Sequence, residues 1–397
     1  MRLKDTGLTV QDIKDKVNKY MIETYERFDF LAETAKDQYM YDENGTPYLD
    51  FYAGIAVNSA GNCNEKVVAA VKDQVEDIMH TFNYPYTIPQ ALLAEKICTT
   101  IGMDKIFYQN SGTEANEAMI KMARKYGVDN FGPERYHIIT AKHGFHGRTY
   151  GALSATGQNV YHNFFFPFVE GFVFAKANDT EDAISKLTDD VCAVMMELVQ
   201  GEGGVMPLET EYVQAVYAAC QEKDILFIVD EVQTGVGRTG TFYSYQQFGI
   251  QPDLVSSAKG LGGGLPIGAV LFGEKTQDTL IPGDHGSTFG GNPVVCAGAV
   301  EVLNRMDDTF LQNVTAKGRH MREEIEKMPH VTSVAGMGMM LGIELDIDVK
   351  PVVTALMENG LLVLTAKHKM RLLPPLNIAQ TELEKGLSIL KNTLAAL

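Results

Sequence analysis

The chain has 397 residues, 45% of them hydrophobic, enough to bury a large core and to divide into two domains. Thirty-four basic against 51 acidic side chains give a formal charge of -17, which argues against a general binder of nucleic-acid phosphates and makes any small anionic substrate dependent on local arginines. Five scattered cysteines without a C-x-x-C, and nine histidines without an H-E-x-x-H, speak against a disulfide scaffold or a structural metal. Met1-Arg2-Leu3-Lys4-Asp5 opens no apolar leader, and no window suggests a membrane span, so a cytoplasmic location is the default expectation.

In chain order, Tyr39 to Phe51 predicts two short strands around the Asn44-Gly45 turn. Helices follow over Glu65 to Ile78 and Gln90 to Ile101, then a strand at Lys105 to Tyr108 and a helix from Glu114 to about Tyr126. Further strands fit Tyr136 to Thr140, Val191 to Met196, Ile225 to Val229, Leu254 to Ser257 and Gly268 to Phe272, with a helix at Tyr212 to Glu222. Their near-continuous apolarity suits strands covered on both faces, as in a mostly parallel sheet. A helix near Asn292 to Asn304 closes this unit. Beyond it, a helix, strands around Val331 to Leu345, a helix near Val352 to Asn359, a strand at Met370 to Leu373 and a helix from Thr381 predict a smaller α/β unit.

Two of the apolar runs end in residues of opposite chemistry, Asp230 and Lys259. A carboxylate held at a strand end can keep a pyridine nitrogen protonated, and a lysine amine can form a Schiff base with an aldehyde, so the pair suits a pyridoxal cofactor. Taken singly, each is more often an ordinary loop or turn residue. Gly260-Leu261-Gly262-Gly263-Gly264 after the lysine lets backbone pass close to a ligand. Ser111 and Glu114 have capping-box spacing, and the helix start they define is also an anion site, with Ser111, Gly112 and Thr113 around it. Ser287 and Thr288 precede another helix and form a second phosphate-clamp candidate. In the glycine-rich loop Lys142 to Thr149, Phe145 could cover a ring and Arg148 could grip a carboxylate with two parallel hydrogen bonds, although core packing and a surface ion pair are the simpler readings. Gly235 to Gly240 matches G-x-G-x-x-G, yet it starts too long after Val229 for the tight strand-to-helix turn of a dinucleotide site.

Together with Ala53 to Val57, Gln200 to Gly204 and Arg371 to Leu376, these motifs resemble the class III pyridoxal-phosphate aminotransferases, especially the branch that uses acetylornithine, over nearly the whole chain. The resemblance implies a fold type I α/β transferase with a mostly parallel seven-stranded central sheet and a smaller α/β domain. It further implies an N-terminal segment at 1–60 that joins the small domain and the edge of the site, a large domain at 61–305 that binds pyridoxal 5'-phosphate, and a small domain at 306–397. Lys259 would be the Schiff-base and proton-transfer lysine. Asp230 would pair with the pyridine nitrogen, Phe145 would stack on the ring, and Gln233 would bond near its hydroxyl. Ser111, Gly112 and Thr113 would hold the phosphate, with Ser287 and Thr288 supplied by the neighbouring subunit of a homodimer.

For substrates, the resemblance implies Arg371 for the α-carboxylate of glutamate and Arg148 for its distal one. Glu202 would pair with Arg371 when the ω-amine enters, and Arg148 with Tyr25 would then take the distal carboxylate. The expected reaction moves the δ-amino group of N2-acetylornithine to 2-oxoglutarate. Other ω-aminotransferases, an aminomutase and a binding protein that has lost turnover are the rivals. Ile55, where users of free ornithine can carry a tyrosine, leans weakly to the acetylated donor. Two stretches depart from the family pattern: Gly61-Asn62-Cys63-Asn64-Glu65 stands where G-H-x-H-P is common, and Lys36-Asp37-Gln38 replaces a glycine-bearing turn.

Overall fold

The computed structural model describes residues 1–397. Seven strands form the central sheet, in the spatial order Lys105–Gln109, Gly268–Phe272, Leu254–Ser257, Leu226–Asp230, Val191–Met196, His137–Ala141 and Phe172–Ala175. Only Gly268–Phe272 runs against its neighbours; the other contacts are parallel. The continuous apolar runs are explained by coverage on both faces. Val194, Met196, Phe227, Val229, Val255 and Leu271 point into one core, and the alternating Ala193, Met195, Leu226, Ile228, Leu254 and Val270 point into the other. The helix Gly112–Phe131 closes the second core with Ala115, Ala118, Met119, Met122 and Ala123.

A four-stranded antiparallel sheet, Val331–Met337, Met340–Leu345, Lys369–Leu372 and Leu364–Ala366, makes a second layer with the helices Asp308–Ile325, Val349–Glu358 and Gln380–Ala395. The expected early hairpin exists as Tyr39–Tyr41 and Pro47–Asp50, and it is stitched to the far end of the chain. Pro47–Asp50 pairs in parallel with Leu361–Leu362, and Leu373 N–H donates to Phe51 O at 2.7 Å. Leu49 and Phe51 accordingly pack with Met370, Leu372 and Leu390. No helix is long and apolar enough to cross a membrane.

Most expected elements are present, with boundaries moved by end chemistry. The helix expected from Gln90 starts at Ile88, because Pro89 fits a first turn that needs no N–H partner. The helix expected from Glu114 starts at Gly112 behind the Ser111 cap, and Asp348 caps a helix that begins at Val349 rather than Val352. The edge strand Phe172–Ala175 and the helix Val10–Tyr20 were not anticipated: the first is only four residues in an aromatic-rich stretch, and the second has no buried face.

The two departures from the family pattern meet. Asp37 and Asn62 exchange backbone hydrogen bonds at 2.8 and 2.7 Å, with Asp37 in the left-handed region at φ 51°. Asn62 Nδ2 also donates to Asp50 Oδ2 at 3.0 Å and to Asp37 O at 3.1 Å. Asn64, at the position of the second imidazole, caps helix Glu65–Asp77. Burial pushes the Asp50 carboxyl up, and Asn62 with the Ala53 and Tyr52 N–H groups works against that rise. Asn62→Ala is therefore expected to cost about 1–3 kcal/mol by leaving Asp50 short of a donor, and Asn64→Ala about 1 kcal/mol through the lost cap. Denaturant unfolding of the two variants checks the order, and equal losses would rule out a special role for Asn62.

Candidate active site

The central sheet delivers its strand ends to one edge. Asp230 lies opposite Ser256 in the parallel register, Lys259 follows two residues after Ser257, and Gly268 of the antiparallel strand lies opposite Gln109, just before Ser111. This is the crevice outside the carboxyl ends of the strands where open α/β sheets bind ligands. A cavity of about 430 Å³ occupies it. Its wall includes Ser111, Gly112 and Thr113 from the helix start, Phe145 and Arg148 from the glycine-rich loop, and Asp230, Gln233 and Lys259 from the strand ends.

The helix start is capped but open. Ser111 Oγ accepts from Glu114 N–H at 3.3 Å, while the Glu114 carboxylate reaches back to Asn110 N–H at 2.7 Å rather than to Ser111. First-turn N–H groups have no intrahelical acceptor, so they and the positive helix end remain available to an anion. Backbone is packed closely around this point. A Cβ on Gly112 would stand 2.5 Å from Val232, and one on Gly147, at φ 140°, 2.1 Å from Thr113 Oγ1. Such a cradle admits a phosphate against main chain with no side chain in the way.

Asp230 is 4% exposed, lines the cavity and has four donors around it. Asn116 Nδ2 and His146 Nδ1 reach its Oδ2 at 2.7 and 2.8 Å, and Val232 N–H and Ser256 Oγ reach Oδ1 at 3.0 and 3.2 Å. Burial lowers the His146 pKa, but the hydrogen bond to Asp230 and its charge outweigh burial, so the imidazole is held above its ordinary value. Glu197, directly after Val191–Met196, is buried on the same edge. Desolvation first, then the Asp230 charge, push its carboxyl up to about 7, against the opposing effects of His146 and two backbone N–H groups. Lys259 sits at φ 45°, a left-handed conformation uncommon for a side-chain-bearing residue. Burial lowers its amine pKa, opposed by Glu202, which increases the fraction of free amine available as a nucleophile.

Beside the cavity, Arg371 is 2% exposed, and its Nη1 donates to Glu202 at 2.6 Å and to Gln233 Oε1 at 3.2 Å. Burial raises the Glu202 carboxyl, but the Arg371 charge and hydrogen bond more than reverse this and hold it below its usual value. Arg148 has no carboxylate partner; its guanidinium lies over the Tyr161 ring at 4.2 Å and over Phe145 at 5.5 Å. The remaining expected residues are placed elsewhere. Ser287 Oγ accepts from Asn110 at 3.2 Å, but neither it nor Thr288 lines the cavity of its own chain. Tyr25 is 73% exposed in a stretch without regular structure and does not line the cavity, so a single chain does not bring it to Arg148. Ile55, at φ 64° in the short turn Ala53–Ala56, is 37% exposed; Val57, two residues on, reaches the wall.

Sequence reasoning missed Asn116, His146 and Glu197 as members of the site. Glu197 was findable by the strand-end rule that singled out Asp230. Asn116 and His146 depend on a helix and a loop converging on one carboxylate. The Gly235 to Gly240 segment opens no helix, and the next helical turn is the 3-10 stretch Ser244–Phe248, so the dinucleotide fingerprint lacks the element its mechanism needs.

The donor set fits pyridoxal phosphate: an anion cradle at a helix start, an aromatic residue, a buried carboxylate and a lysine of lowered pKa share one cavity. Comparison with known proteins agrees. Residues 20–394 match the family described as aminotransferase class-III. The chain is 46% identical to the acetylornithine aminotransferase of Haemophilus ducreyi, over 98% of this chain and all of that one. It is 44% identical to that of Caldanaerobacter subterraneus, over 95% of this chain and 98% of that one. Among solved structures, the ornithine aminotransferase of Toxoplasma gondii superposes with a TM-score of 0.94 at 31% identity, covering 99% of this chain and 96% of that one. The chain belongs to the class III aminotransferases and is a pyridoxal-phosphate-dependent aminotransferase.

Proposed function

We propose that this enzyme transfers the δ-amino group of N2-acetylornithine to 2-oxoglutarate, giving N-acetylglutamate 5-semialdehyde and glutamate. The observation that carries this reading is the pairing of two unlike arginines beside one lysine: Arg148 without a carboxylate partner and Arg371 with Glu202. A dicarboxylate needs both cations, whereas an ω-amine carrying its carboxylate at the far end needs only the first. Glu202 keeps Arg371 neutralised while the ω-amine is bound and yields it to the α-carboxylate of glutamate. The curated relatives named above support acetylornithine as donor. The exposed Ile55, in place of a tyrosine, weakly favours it over free ornithine.

In this reading Ser111, Gly112 and Thr113 hold the cofactor phosphate at the helix start, Phe145 covers one ring face, and Gln233 bonds near the ring hydroxyl. Pyridoxal phosphate, when bound, supplies an electron sink next to the amine-bearing carbon. Asp230, with its four donors around it, would hold the proton on the ring nitrogen. Lys259 would hold the cofactor through its Nζ and, as a free amine, would take up the proton lost from the substrate carbon and deliver it to the cofactor. Arg371 and Arg148 orient that carbon over Lys259. Ser287 and Thr288 are assigned to the site of a neighbouring copy in a homodimer, a reading supported by their position off their own cavity, by the exposed Phe289 beside them, and by exposed Tyr84 and Tyr86, which follow Asn83, a donor to Ser287 O at 3.3 Å. Tyr25 would complete the distal-carboxylate subsite in that assembly. We also propose the division into 1–60, 61–305 and 306–397, supported by the separate apolar core that Leu49 and Phe51 share with the C-terminal strands and helices.

Lys259→Ala is expected to abolish turnover and the visible absorbance of the lysine-bound cofactor; a normally active variant would overturn the lysine assignment. Arg371→Ala should raise KM for glutamate by on the order of 100-fold, through loss of a bidentate pair, with a much smaller change for the ω-amine. Steady-state kinetics in each direction measures the split. A panel of acetylornithine, ornithine, succinylornithine and 4-aminobutyrate, with and without 2-oxoglutarate, tests the donor. Strong preference for 4-aminobutyrate would replace the substrate, and acceptor-free isomerisation would replace transamination by an aminomutase reaction.

A further inference from the structure

Glu197 is 6% exposed and lines the cavity, yet no step above uses it. Its two oxygens face two different loops. Oε1 accepts from Phe145 N–H at 2.8 Å, in the loop that carries Arg148 three residues later. Oε2 accepts from Gly201 N–H at 3.1 Å, immediately before Glu202. The loops also touch directly, through Gln200 Nε2 donating to Lys142 O at 2.9 Å. Gly201 is confined on its other side as well: a Cβ there would stand 2.6 Å from Gln233 Oε1, the atom that accepts from Arg371. Two N–H donors converging on one buried side chain need two acceptors, and a carboxylate supplies both, whereas an amide supplies one and turns its NH₂ against the other donor.

We propose that Glu197 is a positioning residue that sets the spacing of the two carboxylate-binding subsites, fastening with one oxygen the loop of Arg148 and with the other the loop whose Glu202 gates Arg371. The proposal rests on the roles given to Arg148, Glu202 and Arg371 above. When Glu202 leaves Arg371, the anchored Gly201 N–H confines the movement to the glutamate side chain and keeps the main chain, and with it the distance to Arg148, in place. Selection by chain length among dicarboxylates follows from that fixed distance. A second role for the same group is the alternative the test must separate, since Asp230, His146 and Lys259 line the same cavity as Glu197. A carboxylate acting through Asp230 would alter the cofactor and the rate of the chemical step, whereas one acting through the loops alters substrate binding.

The test uses cofactor-loaded Glu197→Gln, assayed in the glutamate half-reaction by rapid mixing with glutamate, 2-aminoadipate or aspartate, while the cofactor absorbance is followed. Releasing one loop is expected to raise KM for glutamate about tenfold, the consequence of an unmade buried hydrogen bond, with little change in kcat, and to lower the preference for glutamate over 2-aminoadipate. Glu197→Asp, which keeps the charge but is too short to reach both loops, should lose the same selectivity and serves if the amide variant fails to load cofactor. Unchanged KM and unchanged selectivity overturn the clamp, as does a fall in kcat with a shifted absorbance and normal KM. Arg148→Ala run alongside separates the two readings: if it raises KM and Glu197→Gln does not, the clamp fails and the arginine assignment stands. If neither variant changes KM, both fall.

Discussion

A single desolvated charge organises this site. Asp230 is buried at a strand end, and a carboxylate there is tolerable only if donors replace the water it has lost. The four that do so come from separate parts of the chain: Asn116 from the helix that begins at the phosphate cradle, His146 from the loop of Phe145 and Arg148, Ser256 from the strand leading to Lys259, and the nearby Val232 N–H. Satisfying one carboxylate therefore fixes the helix start at Ser111, the loop of Phe145 and the strand that leads to Lys259 relative to one another. Hydrogen bonds to a buried charge contribute roughly 1.5–3 kcal/mol each, so a displaced neighbour costs stability as well as catalytic geometry.

The substrate side follows a different electrostatic rule. Against a formal charge of -17, a site for a dicarboxylate needs cations whose attraction is not screened. Arg371 achieves this by burial and carries its own counterion, Glu202, at 2.6 Å. A buried guanidinium that lost Glu202 without replacement would be strongly unfavourable, so in the proposed exchange Glu202 leaves only as another anion takes its place. Arg148 is exposed, and its guanidinium rests over the Phe145 and Tyr161 rings, a contact that leaves its N–H groups free for the carboxylate the proposed reaction assigns to it. The Arg371 charge and hydrogen bond hold the Glu202 carboxyl below its usual value against burial, so the proposed exchange is a displacement by the arriving carboxylate and not a protonation.

Which parts of this arrangement were legible in the chain depended on whether a local rule applied. Asp230, Lys259 and Ser111 lie at the ends of apolar runs or at a capping motif, and strand-end logic located them without a structure. The helix of Asn116 was anticipated, but which of its residues turns toward Asp230 depends on the packing of that helix against the sheet. His146 lay within a loop already singled out, but its partner is 84 residues away. In sequence, Asn62 and Asn64 are only a departure from the two imidazoles of the family pattern. In the structure it is a self-consistent change, because Asn62 pairs with Asp37, the other departure, and Asn64 caps a helix. Tyr25 and Thr288 mark the opposite limit: their expected roles need a surface that one chain does not supply.

The Gly235 to Gly240 segment, set aside in sequence as a dinucleotide fingerprint, puts its glycines to another use. The loop uses them for close packing and left-handed backbone, with Gly237 at φ 85° and Gly240 at φ 101°, and it carries Arg238 into full burial. That guanidinium donates to Met339 O at 3.1 Å, to Pro374 O at 2.6 Å and to Ser59 Oγ at 3.4 Å. Ser59 in turn abuts Gly260, where a Cβ would stand 2.8 Å from its hydroxyl. One side of Arg238 thus bears on the segment after Lys259 and the other on the segment after Arg371. Burial pushes its pKa down to about 9 against the pull of Asp50, the carboxylate that Asn62 also supports. A planar fork can serve two carbonyls and a hydroxyl together, while a lysine ammonium in the same space could not match that geometry. The glycines that imitate a nucleotide loop therefore make room for a strut between the lysine and arginine halves of the site, and the first departure from the family pattern lies at the far end of that strut.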